Sequence, residues 1–350
     1  MKKIIIWVVV VVFALSLTFV GIGCKPSAIE EAVEEVAEEG EEAVEEEVVV
    51  AEDVLTVVFL GHIIDPFTTA AENGAIAVGD AFGYKTVVQT PEGWDPSIQT
   101  QIIDSLLAAG EMDLLIVMPT DKDALIPVLQ RVHDSGVPVI TPDTFIGDGI
   151  YTEGHPVTFP IAYVGSDNFE GGTICGEELA KAIGHEGKVY ISNVTPGISS
   201  TDERAAGFKT AISNYPDIEI VGIDYHDNDA AKAQAQTTAV LQREPDLKGI
   251  FSTNSVGSVG VGLAVDNANL QDEIVVMSFD ATATTYEGLE RGTIDIALAQ
   301  KPYEMGLLSG LLGLAYINGV PDLPKRLTTG FVVITKENFK DPEYEKWFYK

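Results

Sequence analysis

The sequence predicts an α/β protein of two similar doubly wound lobes with parallel sheets, and three observations carry the prediction. From residue 55 onward, short β-branched runs alternate with longer amphipathic segments. The short runs are apolar on both faces, the mark of strands covered by helices on both sides rather than of strands with one wet face. The whole pattern then occurs a second time in tandem. Strand followed by helix, repeated, builds a parallel sheet flanked by helices. The roughly 295 residues beyond the N-terminal segments are too many for one ordinary core and suit two.

In the first lobe the runs 55–60, 85–89, 113–118 and 138–141 read as strands. Helical periodicity predicts helices over 68–82, 97–109 and 122–135, each closed by Gly or by Gly-Val-Pro, residues that stop a helix. In the second lobe strands are predicted at 188–192, 218–221, 249–252 and 274–278, and helices at 201–214, 229–243, 256–268 and 283–291. Short phrases correspond between the halves. Phe82-Gly83-Tyr84 precedes one strand and Tyr215-Pro216-Asp217 its counterpart; Ile140-Thr141-Pro142-Asp143 ends one strand as Met277-Ser278-Phe279-Asp280 ends another. Two such lobes imply a cleft. In open α/β sheets ligands bind beyond the carboxyl ends of the strands, where this sequence carries Asp65, Asp143, Asn254, Asp280 and Gln300.

The N-terminal region has a different texture. Lys2 and Lys3 precede a nearly unbroken apolar run over 4–23, and Gly23 stands directly before Cys24. This order reads as a bacterial lipoprotein leader, 1–23, removed before a cysteine that is lipidated; the alternative is an uncleaved transmembrane anchor, since about 20 apolar residues suffice to span a bilayer. Residues 28–53 hold twelve Glu, one Asp and no basic residue. Like charges at i,i+4 oppose a helix and few large apolar side chains are present to bury, so 24–53 reads as an extended acidic tether. The formal charge of the chain is −33, of which −23 remains when Lys2, Lys3, Lys25 and the thirteen acids of 28–53 are set aside. So acidic a surface repels nucleic acid and anionic headgroups, which argues against both as partners. With Cys24 committed to lipid, Cys175 has no intramolecular partner, and its neighbours Ile174, Leu179 and Ala180 mark it as a buried structural thiol.

Catalytic motifs are missing from the sequence. Gly257-Ser258-Val259-Gly260-Val261-Gly262 imitates a dinucleotide loop but falls inside the helix predicted after Asn254 and lacks the full spacing. No Walker loop, H-E-x-x-H or G-x-S-x-G occurs, and the five His are dispersed. The cluster Asp224, Asp227, Asn228 and Asp229 lacks the glycine and terminal Glu of a calcium loop. The reading is a binding protein, not an enzyme, with no cofactor and no metal.

A set of motifs narrows this further: Asp65-Pro66-Phe67 after the first strand, Gly136-Val137-Pro138-Val139-Ile140 with Asp143, Ser166-Asp167-Asn168 with Gly171-Gly172, Glu203-Arg204 with Gly207-Phe208, then Asn254, Phe279-Asp280 and Ala299-Gln300. In order and approximate spacing, over roughly 55–338, the chain resembles the type I periplasmic sugar-binding proteins of the ribose and galactose group that feed ABC transporters. The resemblance implies two lobes, 54–165 plus 301–329 and 166–300 plus 330–350, joined by a three-strand hinge near 164–167, 299–301 and 329–331. It implies that Asp65 bonds a sugar hydroxyl, that Phe67 stacks on the sugar's CH face, and that Asp143, Asn254, Asp280 and Gln300 supply further acids and amides. With the leader and Cys24 supplying a lipid anchor, the expected role is an extracytoplasmic, monomeric receptor that binds a pentose or hexose by hinge closure and hands it to an ABC permease.

The departures from that family matter as much. Thr144 stands where ribose binders have Arg, Asp202 where they have a basic residue, and Asn228 where they have an aromatic. A cleft keeping Asp65, Asp143 and Asp280 and adding Asp202 is acidic, and neighbouring carboxylates disfavour one another's ionisation unless a positive group joins them. Either Arg204 turns inward, or Asp202 lies outside the contact shell, or the ligand brings a cation. His62 and Trp94, in loops after first-lobe strands, could replace the lost aromatic contact. The alternatives to a sugar-import receptor are a binder of amino-bearing ligands and the ligand-sensing partner of a membrane sensor.

Overall fold

The computed structural model describes residues 54–349; the expected leader, Cys24 and the acidic tether lie outside the described residues. Two six-stranded sheets organise what is described. The first contains β1 (Thr56–Leu60), β2 (Lys85–Gln89), β3 (Leu114–Val117), β4 (Val139–Pro142), β5 (Tyr163–Gly165) and the late strand β11 (Arg326–Thr328), in the order β11-β5-β4-β3-β1-β2 with every pair parallel. The second contains β6 (Gly187–Asn193), β7 (Ile218–Tyr225), β8 (Leu247–Ser252), β9 (Val275–Phe279), β10 (Ile296–Ala299) and β12 (Val332–Thr335), in the order β12-β10-β9-β8-β6-β7. There β12 alone runs antiparallel, against β10. The two orders are the same, so the tandem pattern of the sequence is a repeat of architecture.

Each sheet is buried on both faces. Along β1, Val57 and Phe59 enter one core with Ala71, Ala75 and Val78 of helix α1 (Pro66–Phe82), while Val58 and Leu60 enter another with Ile103 of α2 (Pro96–Ala109) and Leu129 and Val132 of α3 (Ile126–Asp134). The second sheet repeats this. Cys175 and Leu179 of α4 (Asn168–Ala182) pack with Phe208 and Ile212 of α5 (Ser199–Ile212) on one face; Val240 of α6 (Ala230–Arg243), Val261 of α7 (Ser255–Asn267) and Leu289 of α8 (Ala283–Arg291) cover the other. Cys175 is buried, and burial pushes its thiol up.

Two long helices escaped the sequence pattern, α4 and α9 (Pro302–Ile317), and so did the short strands β5, β10, β11 and β12. The strands have three or four residues each. Both helices carry glycines, and packing explains them. A Cβ on Gly172 of α4 would stand 2.0 Å from the Arg204 carbonyl oxygen of α5, and one on Gly306 of α9 would stand 1.8 Å from the Ala71 carbonyl oxygen of α1. The helices cross at backbone contact, which only glycine permits.

The chain passes from the first sheet to the second after β5, returns after β10 into α9, and passes again between β11 and β12. The carboxyl ends of both sets of parallel strands converge on one cleft between the sheets.

Candidate functional site

The site is built on two acids in matching positions. Asp143 directly follows β4 and Asp280 directly follows β9, the fourth strand of each repeat. Both have left-handed backbones, with φ of 60° and 80°, a conformation that costs a non-glycine residue on the order of 1–2 kcal/mol and that Asp tolerates better than most. The neighbouring strand holds each in place: Asp143 N donates to Val164 O at 3.0 Å, and Asp280 N to Leu298 O at 2.9 Å. The turn delivers both carboxyl groups to the cleft from opposite lobes.

Asp280 is almost fully buried. Its Oδ1 accepts hydrogen bonds from Gln300 Nε2 at 2.6 Å and Tyr349 Oη at 2.8 Å, and its Oδ2 faces Arg204 Nη1 at 3.9 Å. Burial pushes its carboxyl above the usual carboxylate range, against the opposing pull of the Arg204 charge and the two donors. Arg204, only 3% exposed, is fixed from three sides. Its Nε donates to Asn168 Oδ1 and its Nη1 to Thr253 O, both at 2.9 Å, and its guanidinium lies 3.8 Å above the Phe279 ring centre. A flat guanidinium on an aromatic face is a weakly hydrated cation suited to such a buried place.

In the first lobe an aromatic wall meets Asp143. His62 Nε2 lies 3.2 Å from Asp143 Oδ2 and His62 Nδ1 lies 3.0 Å from Thr68 Oγ1. With a carboxylate as partner, Nε2 carries the proton and Nδ1 accepts from the hydroxyl. The His62 ring packs on Trp94 at 4.3 Å between centres and on Phe67 at 6.2 Å.

Two other predicted site residues do double duty as helix caps. Asp65 Oδ1 accepts from Thr68 N at 2.7 Å at the start of α1, and Asn254 Oδ1 accepts from Gly257 N at 2.9 Å at the start of α7. Both also line the cleft, as do His62, Phe67, Trp94, Asp143, Arg204, Asp280 and Gln300. The lined space is about 380 Å³, mouth included. Around it, Asp143 Oδ1, Gln300 Oε1, Thr201 Oγ1 and Trp94 Nε1 are buried with no partner among the described residues. Buried polar atoms are normally paired, so a cluster of unpaired acceptors and donors on one cleft marks it as shaped for a polar guest.

Two predicted contact residues do not face the cleft. Asp202 Oδ2 accepts from Gly197 N at 2.9 Å and ties down the loop before α5. The reason is helical phase: two residues from Arg204, it lies about 200° round the helix. Asn228 stands behind Asn254, accepting from its Nδ2 at 2.8 Å. Of the acids near it, Asp227 pairs with Lys232, Asp229 caps α6, and Asp224 accepts from Tyr190 Oη.

Sequence reasoning missed Val194, Ser200, Thr201 and Ser255, which also line the cleft. The tandem repeat held the signal for them. They follow β6 and β8, the counterparts of β1 and β3, and so occupy carboxyl ends just as Asp65 and Phe67 do. The cleft mouth is drawn together by Phe145 N, which donates to Ser199 Oγ at 3.1 Å, and by Lys122 N, which donates to Gly197 O at 3.4 Å.

The profile of the periplasmic binding protein domain matches residues 56–320. The chain belongs to the periplasmic binding proteins. This binding protein is 37% identical to an ABC transporter solute-binding protein from Agrobacterium vitis whose structure was solved with α-D-tagatopyranose; the match covers 85% of this chain and 99% of that one, with a TM-score of 0.82. It is 28% identical to an ABC transporter solute-binding protein from Burkholderia graminis in complex with D-arabinose, over 82% of this chain and 97% of that one, with a TM-score of 0.76. Among curated relatives, the ribose import binding protein of Escherichia coli K12 is 27% identical over 256 residues, 73% of this chain and 82% of that protein. The family resemblance and the two-lobed α/β fold read from the sequence both hold. Membership in the family places the folded part outside the cytoplasm. No helix among the described residues is long and apolar enough to cross a membrane.

Proposed function

We propose that this binding protein captures a neutral monosaccharide, a pentose or hexose, in the cleft and presents it to an ABC permease. The observation that carries the reading is the facing of two acids from opposite lobes, Asp143 and Asp280, across a cleft walled by Phe67, His62 and Trp94. Carboxylates and amides accept from and donate to the hydroxyls of a sugar, an aromatic face covers its CH groups, and a wrong epimer leaves buried polar atoms unpaired. The sugars and the importer named for the relatives support the same class. Arg204 inside the cleft and Asp202 outside it both favour a neutral ligand over an amine. The two lobes, 54–165 plus 301–329 and 166–300 plus 330–350, close about the three chain passages when a ligand bridges them, which shifts an open population to a closed one.

Calorimetry with D-tagatose, D-ribose, D-arabinose, D-allose and glucosamine tests the reading. At least one neutral sugar should bind more tightly than glucosamine, and the isosteric Asp143→Asn should weaken it about tenfold or more, the effect of losing a charged hydrogen-bond partner. A preference for glucosamine, or an Asp143→Asn protein with unchanged affinity, would overturn it.

The receptor acts as a monomer held at the membrane by lipid on Cys24 through the 24–53 tether. The order of Lys2, Lys3, the apolar run and Gly23 before Cys24 supports this. Mass spectrometry of the membrane fraction should find diacylated Cys24 as the mature N-terminus, and Cys24→Ser should abolish it; an unmodified mature terminus well beyond Cys24 refutes the anchor.

A further inference from the structure

One segment reaches the site from outside the strand-and-helix repeat. After β12 the chain turns through the short helix α10 (Pro342–Glu345), is held on the second lobe's core by Phe339 and Phe348, and brings Tyr349 beside Asp280. Tyr349 does not line the cleft; it stands directly behind it. Its backbone N donates to Ala281 O at 3.0 Å, and its hydroxyl accepts from Ala281 N at 3.2 Å while donating to Asp280 Oδ1 at 2.8 Å. The amide therefore fixes the hydroxyl rotor, leaving its one hydrogen aimed at the acid. The Tyr349 ring, 8% exposed, meets Phe67 edge-on at 5.6 Å between centres and packs with the first lobe's core.

The last torsion of a carboxyl group is soft and roughly two-fold, so its plane is set by the partners of its oxygens. Gln300 Nε2 and Tyr349 Oη hold Oδ1 together, which sets the plane of the group and turns Oδ2 toward Arg204. We propose that Tyr349 is a positioning residue of the ligand site, its hydroxyl setting the Asp280 carboxyl plane and its ring tying that acid to Phe67 of the opposite lobe. The inference rests on the reading of Asp280 as a ligand contact.

The test is Tyr349→Phe in the full mature protein, which keeps the ring against Phe67 and removes only the hydroxyl. Two readouts are taken: calorimetric affinity for D-tagatose, D-ribose and D-arabinose, and the titration of the Asp280 carboxyl carbon by NMR without sugar. The charged and polar groups facing Asp280 are Arg204, Asp143, Gln300 and Tyr349, and the first three are common to both proteins. Losing a donor to the carboxylate raises its titration midpoint. The expected result is a raised Asp280 midpoint together with a 5- to 30-fold weaker affinity, roughly the range for a hydrogen bond to a charged group. An unmoved midpoint overturns the proposal whatever the affinity, and so does a raised midpoint with unchanged affinity. If no sugar binds the wild-type protein and the midpoint still rises, the sugar reading fails while the hold of Tyr349 on Asp280 stands.

Discussion

His226 is fully buried at the end of β7, and neither ring nitrogen has a partner among the described residues. Room for its ring comes from Gly257, where a Cβ would stand 2.5 Å from His226 Nε2. Burial pushes the imidazole down from 6.5 to about 4. The native state therefore keeps His226 neutral above that value, whereas the unfolded chain takes up a proton below 6.5. Between these limits the unfolded state binds more protons, and stability falls as the pH falls. From pH 7 to pH 5 this group alone should cost about 2 kcal/mol. Asp280 and Glu203, whose carboxyls burial pushes up, work in the opposite sense, favouring the native state in acid. Both remain in a His226→Gln variant and cancel in the comparison. Urea unfolding at pH 7 and pH 5 should show the wild type losing about 2 kcal/mol more than the variant; equal losses refute the assignment. Single residues also mark where the sequence stops being readable. Asp143 and Asp280 could be found because strand ends are where α/β sheets bind, and Asp202 could have been set aside by its phase relative to Arg204. Tyr349 gave no sign, since nothing local separates it from the other aromatic residues of its segment, Tyr344, Trp347 and Phe348.

Among the elements, seven helices were legible to within a few residues, and the long helices α4 and α9 were not. Glycines at the helix crossings connect packing to function. Gly172 of α4 and Gly207 of α5 lie at one crossing, where added Cβ atoms would stand 2.0 Å from the carbonyl oxygens of Arg204 and Phe169. The crossing presses α4 directly against the backbone of Arg204, and Asn168, the first residue of α4, accepts the Arg204 Nε hydrogen bond. The inward guanidinium that distinguishes a neutral cleft from an acidic one is thus placed by a helix pair whose closeness depends on residues of low helix propensity. The α1–α9 crossing at Gly74 and Gly306 has the same construction and brings Phe67, at the start of α1, against the site. Propensity counts such glycines against a helix, and tertiary contact outweighs the propensity.

For the molecule as a whole, affinity depends on contacts that never touch a ligand. The Ser199 side chain accepts from Phe145 N across the cleft mouth at 3.1 Å, and Ser199 does not line the cleft. A bond between lobes exists only when they are together, so it stabilises the closed state and leaves the open state unaffected. If the unliganded protein is mostly open, every loss of closed-state stability passes into apparent affinity, because ligand must then supply more of the closure. Ser199→Ala strands the Phe145 N–H in the closed form alone, at a cost of about 0.5–1.5 kcal/mol. The expected result is a two- to tenfold weaker affinity, roughly the factor that energy represents, for the tightest-binding sugar of the panel. The melting temperature without sugar should be unchanged, and so should the radius of gyration at saturating sugar by small-angle scattering. A drop in the sugar-free melting temperature with unchanged affinity would instead mean that the lobes are already closed before ligand arrives, and would remove closure as the step that the ligand drives.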